Sequence, residues 1–458
     1  MSRRIIIIGA GVSGLTASIA LAKQLADSIP ELRISLYDTR TEQPLGEGGA
    51  ISLTPVAQHY LDELDVVHEL RQMQGLGGME VSAVDLFDLH SGKSLGSLQF
   101  ADDKGAGYGC YRSRRVLRSS LTAAILAVAR RYESITVHWG KKLVATTMSE
   151  ESVMVQFADG TTASGDMLLG CDGVHSVVRT QLVDPGNLSD YTGLAFVQCL
   201  APADRIQGPV HFQQTAFHLT RRGSLLLSYC DEGKERLFAA GIMSVSYKMV
   251  KGYQEAALVK EERTINSYQS ALRSQIREAF GKSAFPCIQQ LIDRTKDWTL
   301  YPVYQIRQCS KKWHTNRVLL LGDSAHAMPP REESTAFCIE DSITFAQIFA
   351  FRHNSDQGNT TASLSAVFED YEAARQDLIG KAFDASRKLW QHDLDSHRFP
   401  GSYRDLISPL RVLPTHAPQG LADARYGSSC PPTYESMSDL SVYALTRDHI
   451  RTEQTLRG

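Results

Sequence analysis

The sequence predicts an α/β fold with an inserted antiparallel-sheet domain, and three observations carry that prediction. The chain opens on RIIIIGAGVSGLTASIALAKQLA, a short β-branched strand, a glycine turn and a helix, and LRISLYD then supplies a second strand ending at Asp38. Two later apolar runs, in LLGCDGVHSVVR and WHTNRVLLLGDSAHAMPP, each stop at a Gly/Asp turn. Between them, VHFQQTAFHLTRRGSLLLSYCDEGKERLFAAGIM alternates apolar and polar residues around turn signals, the pattern of an antiparallel meander.

In the opening unit Gly9, Gly11 and Gly14 fit G-x-G-x-x-G between strand and helix, the spacing of a Rossmann-like dinucleotide site. The first glycine permits a tight turn, the second lets the backbone approach a pyrophosphate, and the third lets helix pack on strand. The pyrophosphate is expected on the helix N-terminus, where unpaired N–H groups and the helix dipole favour an anion. Asp38 follows Gly14 by 24 residues, where a carboxylate accepts hydrogen bonds from a ribose 2′-OH. An unphosphorylated ribose suits FAD or NAD better than NADP.

Composition narrows the class. The 458 residues suffice for two or three structural units, and a 43% hydrophobic content is that of a globular chain. With 48 basic and 51 acidic residues and no extended charged block, nucleic acid is not an expected partner. The eight cysteines are scattered without C-x-x-C or metal-ligand spacing, which predicts reduced, mostly buried thiols, no metal and a cytoplasmic location. Glycines interrupt the N-terminal apolar run, and no other stretch approaches the roughly 18 apolar residues of a membrane span, so neither a signal peptide nor a transmembrane segment is expected.

Three stretches decide which dinucleotide. YRSRRVLRSSLTAAI reads as a helix with Arg114, Leu117 and Leu121 on one face, LLGCDGVHSVVR closes on Arg179, and WHTNRVLLLGDSAHAMPP runs into Gly322-Asp323 with a helix after Pro330. In this order and spacing, over roughly residues 4–390, they resemble the FAD-dependent monooxygenases of the para-hydroxybenzoate hydroxylase and salicylate hydroxylase type, particularly their fungal secondary-metabolism branch. KKWHTNRVLLLGDSAH and YEAARQDLIGKAFDASRK are similar to that family outside the motifs, and LGEGGAISLTP, which contains Gly49, looks like its segment along the flavin. The resemblance implies that Arg114, or its neighbour Arg112, helps hold the flavin. It also implies that Asp172 and Gly173 contribute to FAD and NAD(P)H contacts, and that Asp323 binds the ribityl chain. Carboxylate acceptors and guanidinium donors suit those tasks. On residue type alone, Asp172 also fits an Asp-Gly turn and Asp323 a helix N-cap, and His326 is expected to pack within its loop.

The FAD-binding domain is expected in three pieces, residues 1–75, 105–185 and 295–385. A substrate-binding sheet domain takes 76–104 and 186–294, and an irregular tail rich in Pro, Ser, Tyr and Gly takes 386–458. One face of the sheet is expected to cover the flavin and form the pocket for a small-molecule substrate. Period-two alternation puts His211 and Gln213 on one face and Val210 and Phe212 on the other. His211 is the candidate catalytic base or polar contact, with His218 and Tyr229 as rivals.

Resembling enzymes carry glycines after the prolines, where backbone N–H groups face the flavin edge that gains negative charge on reduction. Here Arg331, Glu332, Glu333 and Ser334 stand instead. A glutamate about 4 Å from the ring would oppose the reduced anion by about 4 kcal/mol at an effective dielectric near 20. Glutamates turned to solvent in the first helical turn would leave Ser334 and Thr335 as flavin contacts. The expected function is an FAD-dependent monooxygenase using NAD(P)H and O2 to hydroxylate or epoxidise a small aromatic or polycyclic secondary metabolite. The alternative is a redox-silent enzyme of the same fold catalysing cyclisation or isomerisation. Trp139, Trp298, Trp313 and Trp390 are far apart and do not form the W-x-W-x-I-P of flavin halogenases.

Overall fold

The computed structural model describes residues 3–41, 49–100, 111–206, 210–220, 222–259, 262–329, 334–355 and 364–396. At its centre Arg3–Ile8 pairs in parallel with Leu32–Tyr37 on one side and Met167–Gly170 on the other. Val318–Leu320 extends the sheet beyond Met167–Gly170, and Ile135–His138 extends it beyond Leu32–Tyr37. Ile5, Ile7, Leu168, Leu169 and Leu319 are wholly buried. Helices cover both faces of such a sheet, which is why its strands read as unbroken apolar runs. The helix Val12–Leu25 packs against Arg118–Ala129 and Ser334–Ser355.

The inserted sheet has seven strands in the order Thr299–Ile306, Ser189–Pro202, Arg236–Ser244, Gly223–Tyr229, Thr215–Thr220, Ala83–Asp88 and Ser94–Gln99. Strand alternation gives it two unlike faces. Leu225, Leu227 and Ala239 join Val250, Ile276 and Ile288 under the helices Tyr247–Val259, Glu262–Phe280 and Pro286–Arg294. Leu226, Phe238 and Ala240 point the other way, onto Leu117 of the first domain. Leu117 ends Ser113–Leu117, the middle strand of a small sheet with Ala50–Leu53 and Met79–Val81.

Three expectations about elements change. Arg114 lies in a strand paired on both sides, and the helix starts only at Arg118. Thr299–Ile306 pairs with Ser189–Pro202, and only at its end does Ile306 enter the core of the first domain and donate to Ala327 O, so the chain returns to the FAD-binding layer at Ile306 rather than at residue 295. The helix Leu364–Ser396 runs eleven residues into the range expected to be irregular, because no proline follows until Pro400. Among the described residues no helix is long and apolar enough to cross a membrane. The six described cysteines are free thiols, five of them buried, while Cys110 and Cys430 lie outside the described residues.

Candidate functional site

Ile8, Gly170 and Leu320 end neighbouring parallel strands, so the three motif turns that follow them meet at one edge of the sheet. Gly9 has φ +104°, and a Cβ there would lie 2.2 Å from the Cys171 carbonyl oxygen. A Cβ on Gly14 would lie 1.9 Å from the Gly9 carbonyl oxygen. Neither place admits a side chain. Gly11 differs, because its Cβ position has nothing within 4 Å and it caps Val12–Leu25 without a side-chain bond. The N–H groups of the first helical turn thus face an open approach, the requirement of a bound pyrophosphate.

Asp38, buried at its strand end, accepts from Ala10 N at 2.8 Å and from Arg40 N, Nε and Nη2 at 2.8, 2.9 and 2.8 Å. Burial alone would raise its pKa, but the Arg40 and Ala10 bonds and the Arg40 charge outweigh burial and hold the carboxyl below its usual range. Arg40 is a partner of Asp38 that sequence reading missed, and a ribose hydroxyl at Asp38 would share the carboxylate with it.

Asp172 accepts from Ser176 Oγ at 2.5 Å and from the N–H groups of Val177 and Val178 at 2.7 and 3.2 Å. Its carboxylate therefore shapes its own turn, while Gly173 beside it, with nothing within 4 Å of its Cβ position, leaves the turn open to a ligand. Buried Arg179 locks this turn to the next by donating to Val174 O and Ser324 O, each at 2.6 Å. Asp323 opens the short helix Asp323–His326, half-buried, and its carboxylate makes no hydrogen bond among the described residues. Its charge and that of Arg118 are both felt at the Cys338 thiol, which burial above all holds far above its ordinary pKa. Arg118 N donates to Gly49 O at 2.9 Å, and Ala50–Leu53 packs against Ser334–Ser355, where Thr335 stands half-buried in the first turn. Gly49, Arg118, Asp323, Thr335 and Cys338 thus share one locality.

Behind it, His326 Nε2 lies 2.6 Å from Asp341 Oδ2, which also accepts Gly322 N–H at 3.1 Å. Arg375 donates to Asp341 at 2.8 Å and to Glu340 at 3.1 Å. Nothing local in the sequence marks Glu340, Asp341 and Arg375 as partners.

Two predicted residues stand elsewhere. Arg114 spends its donors on Gln58 Oε1 at 2.9 Å, Gly77 O at 3.0 Å and Glu80 Oε1 at 3.0 Å, tying its strand to neighbouring elements rather than reaching into the cradle. The carbonyl of its rival Arg112 accepts from Gln58 Nε2. His211 lies in a bend before the strand, which begins at Thr215, so the period-two assignment does not apply to it. It stacks on Phe285 at 3.6 Å and meets Cys287 on the helix-covered side of the sheet. His218 Nδ1, 3.0 Å from Leu225 O, must donate there, so its Nε2 accepts from His211 Nε2 at 2.5 Å and His211 Nδ1 accepts from Cys287 S–H. Both histidines are neutral, with burial pushing His211 down to about 4 and His218 to about 3. Tyr229 belongs to the same helix-side cluster. Arg331, Glu332 and Glu333 lie outside the described residues. A separate hollow of about 480 Å³ lined by Leu200, Arg205, Arg294 and Lys296 contains none of the motif residues.

The donor set fits FAD. Asp38 lies on one flank of the central strand, the open helix N-terminus behind Gly11 at its end, and on the other flank the Asp323 carboxylate, which has no hydrogen bond among the described residues, so one extended dinucleotide can cross all three.

The FAD binding domain family matches residues 3–334. The 6-hydroxynicotinate 3-monooxygenase of Bordetella bronchiseptica is 24% identical over 382 residues, covering 82% of this chain and 89% of its own. The FAD-dependent monooxygenase esdpE of Penicillium shearii is 25% identical over 418 residues, covering 84% of this chain and 77% of its own. In fold, Klebsiella pneumoniae HpxO, crystallised with FAD and uric acid, superposes with a TM-score of 0.68 at 21% identity, over 89% of this chain and 91% of that one. The chain therefore belongs to the FAD binding domain family, as an oxidoreductase of the monooxygenase type whose cofactor is FAD.

Proposed function

We propose that the protein uses NAD(P)H and O2 to hydroxylate or epoxidise a small aromatic or polycyclic metabolite, in the cytoplasm and in fungal secondary metabolism. The observation that supports this most is the apposition of Leu117, beside the cofactor turns, to Leu226, Phe238 and Ala240 of the sheet. That arrangement lets a flat ligand be enclosed between the two domains. The fungal relative esdpE supports the biological setting.

When bound, the flavin supplies electron transfer from NAD(P)H and the activation of O2. The chain supplies binding and orientation. The helix N-terminus behind Gly11 holds the pyrophosphate, Asp323 accepts from polyol hydroxyls, and the Thr335 hydroxyl lies where the helix Ser334–Ser355 begins. The apolar sheet face keeps water from the reacting carbon. For hydroxylation the balance is RH + O2 + NAD(P)H + H⁺ giving ROH + NAD(P)⁺ + H2O.

The test is NAD(P)H oxidation and incorporation of labelled O2 across a panel of phenols and polycyclic aromatics. Stimulated oxidation with label in the product is expected. FAD-loaded protein that no substrate stimulates would overturn the reading.

One feature favours the redox-silent alternative, the REEST run in place of glycines. The double variant Glu332→Gln, Glu333→Gln separates the two. If carboxylates aimed at the ring impose about 2 kcal/mol, the flavin midpoint potential should rise by roughly 40 mV. Solvent-facing glutamates would give a small shift that salt abolishes.

A further inference from the structure

Most side chains that the sheet turns toward the first domain are apolar, and Gln198 is an exception. It pairs with Ala240 across the strands, beside Leu200 and Phe238, on the face that meets Leu117. The side chain is half-buried and makes no hydrogen bond among the described residues. Its polar end points at Gly49: a Cβ built there would lie 2.5 Å from Gln198 Nε2 and 2.6 Å from Oε1, nearer than the 2.9 Å to Cδ. So the amide edge, not the methylenes, faces the backbone of the first domain.

That backbone belongs to the cofactor cradle. Gly49 O receives the Arg118 N–H, and both Arg118 and Asp323 act on Cys338. The strand following Gly49 packs on the helix that starts at Ser334. Asp38 stands on the opposite flank of the central strand from the Asp323 turn, so a dinucleotide with its adenosine at Asp38 brings its other end toward Gly49. A primary amide offers two N–H donors and a carbonyl acceptor side by side, and covering it without a partner is costly. The isoalloxazine of FAD has a pyrimidine edge with an N–H between two carbonyls, the complement of a carboxamide.

We propose that the Gln198 carboxamide hydrogen-bonds the ring end of bound FAD, which makes it a cofactor contact donated by the inserted sheet. The inference rests on the FAD site above but not on the oxygen chemistry.

The experiment titrates apoprotein with FAD and, separately, with ADP as a probe of the adenosine half alone. Gln198→Leu should weaken FAD about five- to tenfold, the worth of one hydrogen bond, leave ADP within about twofold, and shift the visible absorption bands of the bound flavin. Gly49→Ala should do the same, because its methyl group displaces the amide. Unchanged FAD affinity and spectrum in Gln198→Leu would overturn the proposal. So would parallel losses of FAD and ADP in both variants, which mark a general disturbance of the fold. Wild-type protein that takes up no FAD would overturn the cofactor assignment together with this contact. Failure of the wild type to oxidise NAD(P)H would count against the monooxygenase reading alone, since the binding and spectral measurements stand without turnover.

Discussion

Replacing Arg375 by methionine removes the cation that two buried carboxylates share. Arg375 is 4% exposed, Glu340 4% and Asp341 0%, with hydrogen bonds of 3.1 and 2.8 Å joining them. Removing one partner of such a cluster costs about 3–5 kcal/mol, because the remaining charges are stranded away from water. At about 2 °C per kcal/mol for a large domain, the melting temperature should fall by about 6–10 °C. The deficit should also depend on pH. Burial pushes Glu340 up to about 7 against the opposing pull of Arg375. Its folded pKa therefore stands above the ordinary 4.5, the folded state keeps a proton that the unfolded state has lost, and stability falls as pH rises through that window. Without Arg375 the window reaches higher, so the loss should be larger at about pH 8 than at about pH 6, where Glu340 is protonated in either protein. Asp341 also receives Gly322 N–H and His326 Nε2, so the turn carrying Asp323 loses its anchor and FAD should bind more weakly. Thermal unfolding at both pH values and FAD titration by fluorescence quenching measure all three effects. A melting shift below about 2 °C, or an equal deficit at both pH values, would refute the reasoning.

Asp323→Ala should weaken FAD roughly tenfold or more, since a charge-assisted hydrogen bond is worth about 1.5–3 kcal/mol; an unchanged dissociation constant removes Asp323 from the site. Gly11→Ala and Gly14→Ala should part company: the first adds a methyl group to open space and should lose FAD affinity at an unchanged apoprotein melting temperature, whereas the second collides with Gly9 O and should lower the melting temperature itself. His218, buried and held near 3, keeps the folded state from taking a proton that the unfolded chain accepts at 6.5, so stability should decline as pH falls from 6.5 toward 3, by on the order of 4 kcal/mol. His218→Leu should flatten that acid limb in urea titrations, and an unaltered limb would show that the histidine pair does not carry it.

What the sequence made legible was local. Gly9, Gly14 and the strand ends at Gly170 and Leu320 are demanded by backbone geometry within a few residues, so the glycine turn, the Asp-Gly turn and the Gly-Asp turn could each be recognised where they stand. The placement of Arg114 and His211 was not local. Arg114 carries a helical spacing into a segment that Ala50–Leu53 and Met79–Val81 claim as a strand, and pairing on both sides outweighs the periodicity. Period-two alternation does not reach His211, which sits in a bend, because the strand starts only at Thr215.

The same distinction separates what holds the cofactor turns from what marks them. Asp172 and Asp38 are conspicuous acids, yet much of their hydrogen-bonding capacity is spent on the protein, Asp172 on its own turn and Asp38 on Ala10 and Arg40. Asp323 has no such partner among the described residues, which leaves its full capacity for a ligand. A carboxylate left half-buried without a hydrogen bond is costly unless something completes it, which is the physical ground for proposing Asp323 as the carboxylate that serves the cofactor. Gln198 follows from the same criterion on the opposite domain, and no motif announces it. Its significance appears only when strand pairing sets it on the face that meets Leu117 and its amide is found against Gly49. Among the described residues Asp323 and Gln198, one from each domain, are thus polar side chains without a hydrogen bond of their own, and they are the two that the proposed FAD contacts would engage.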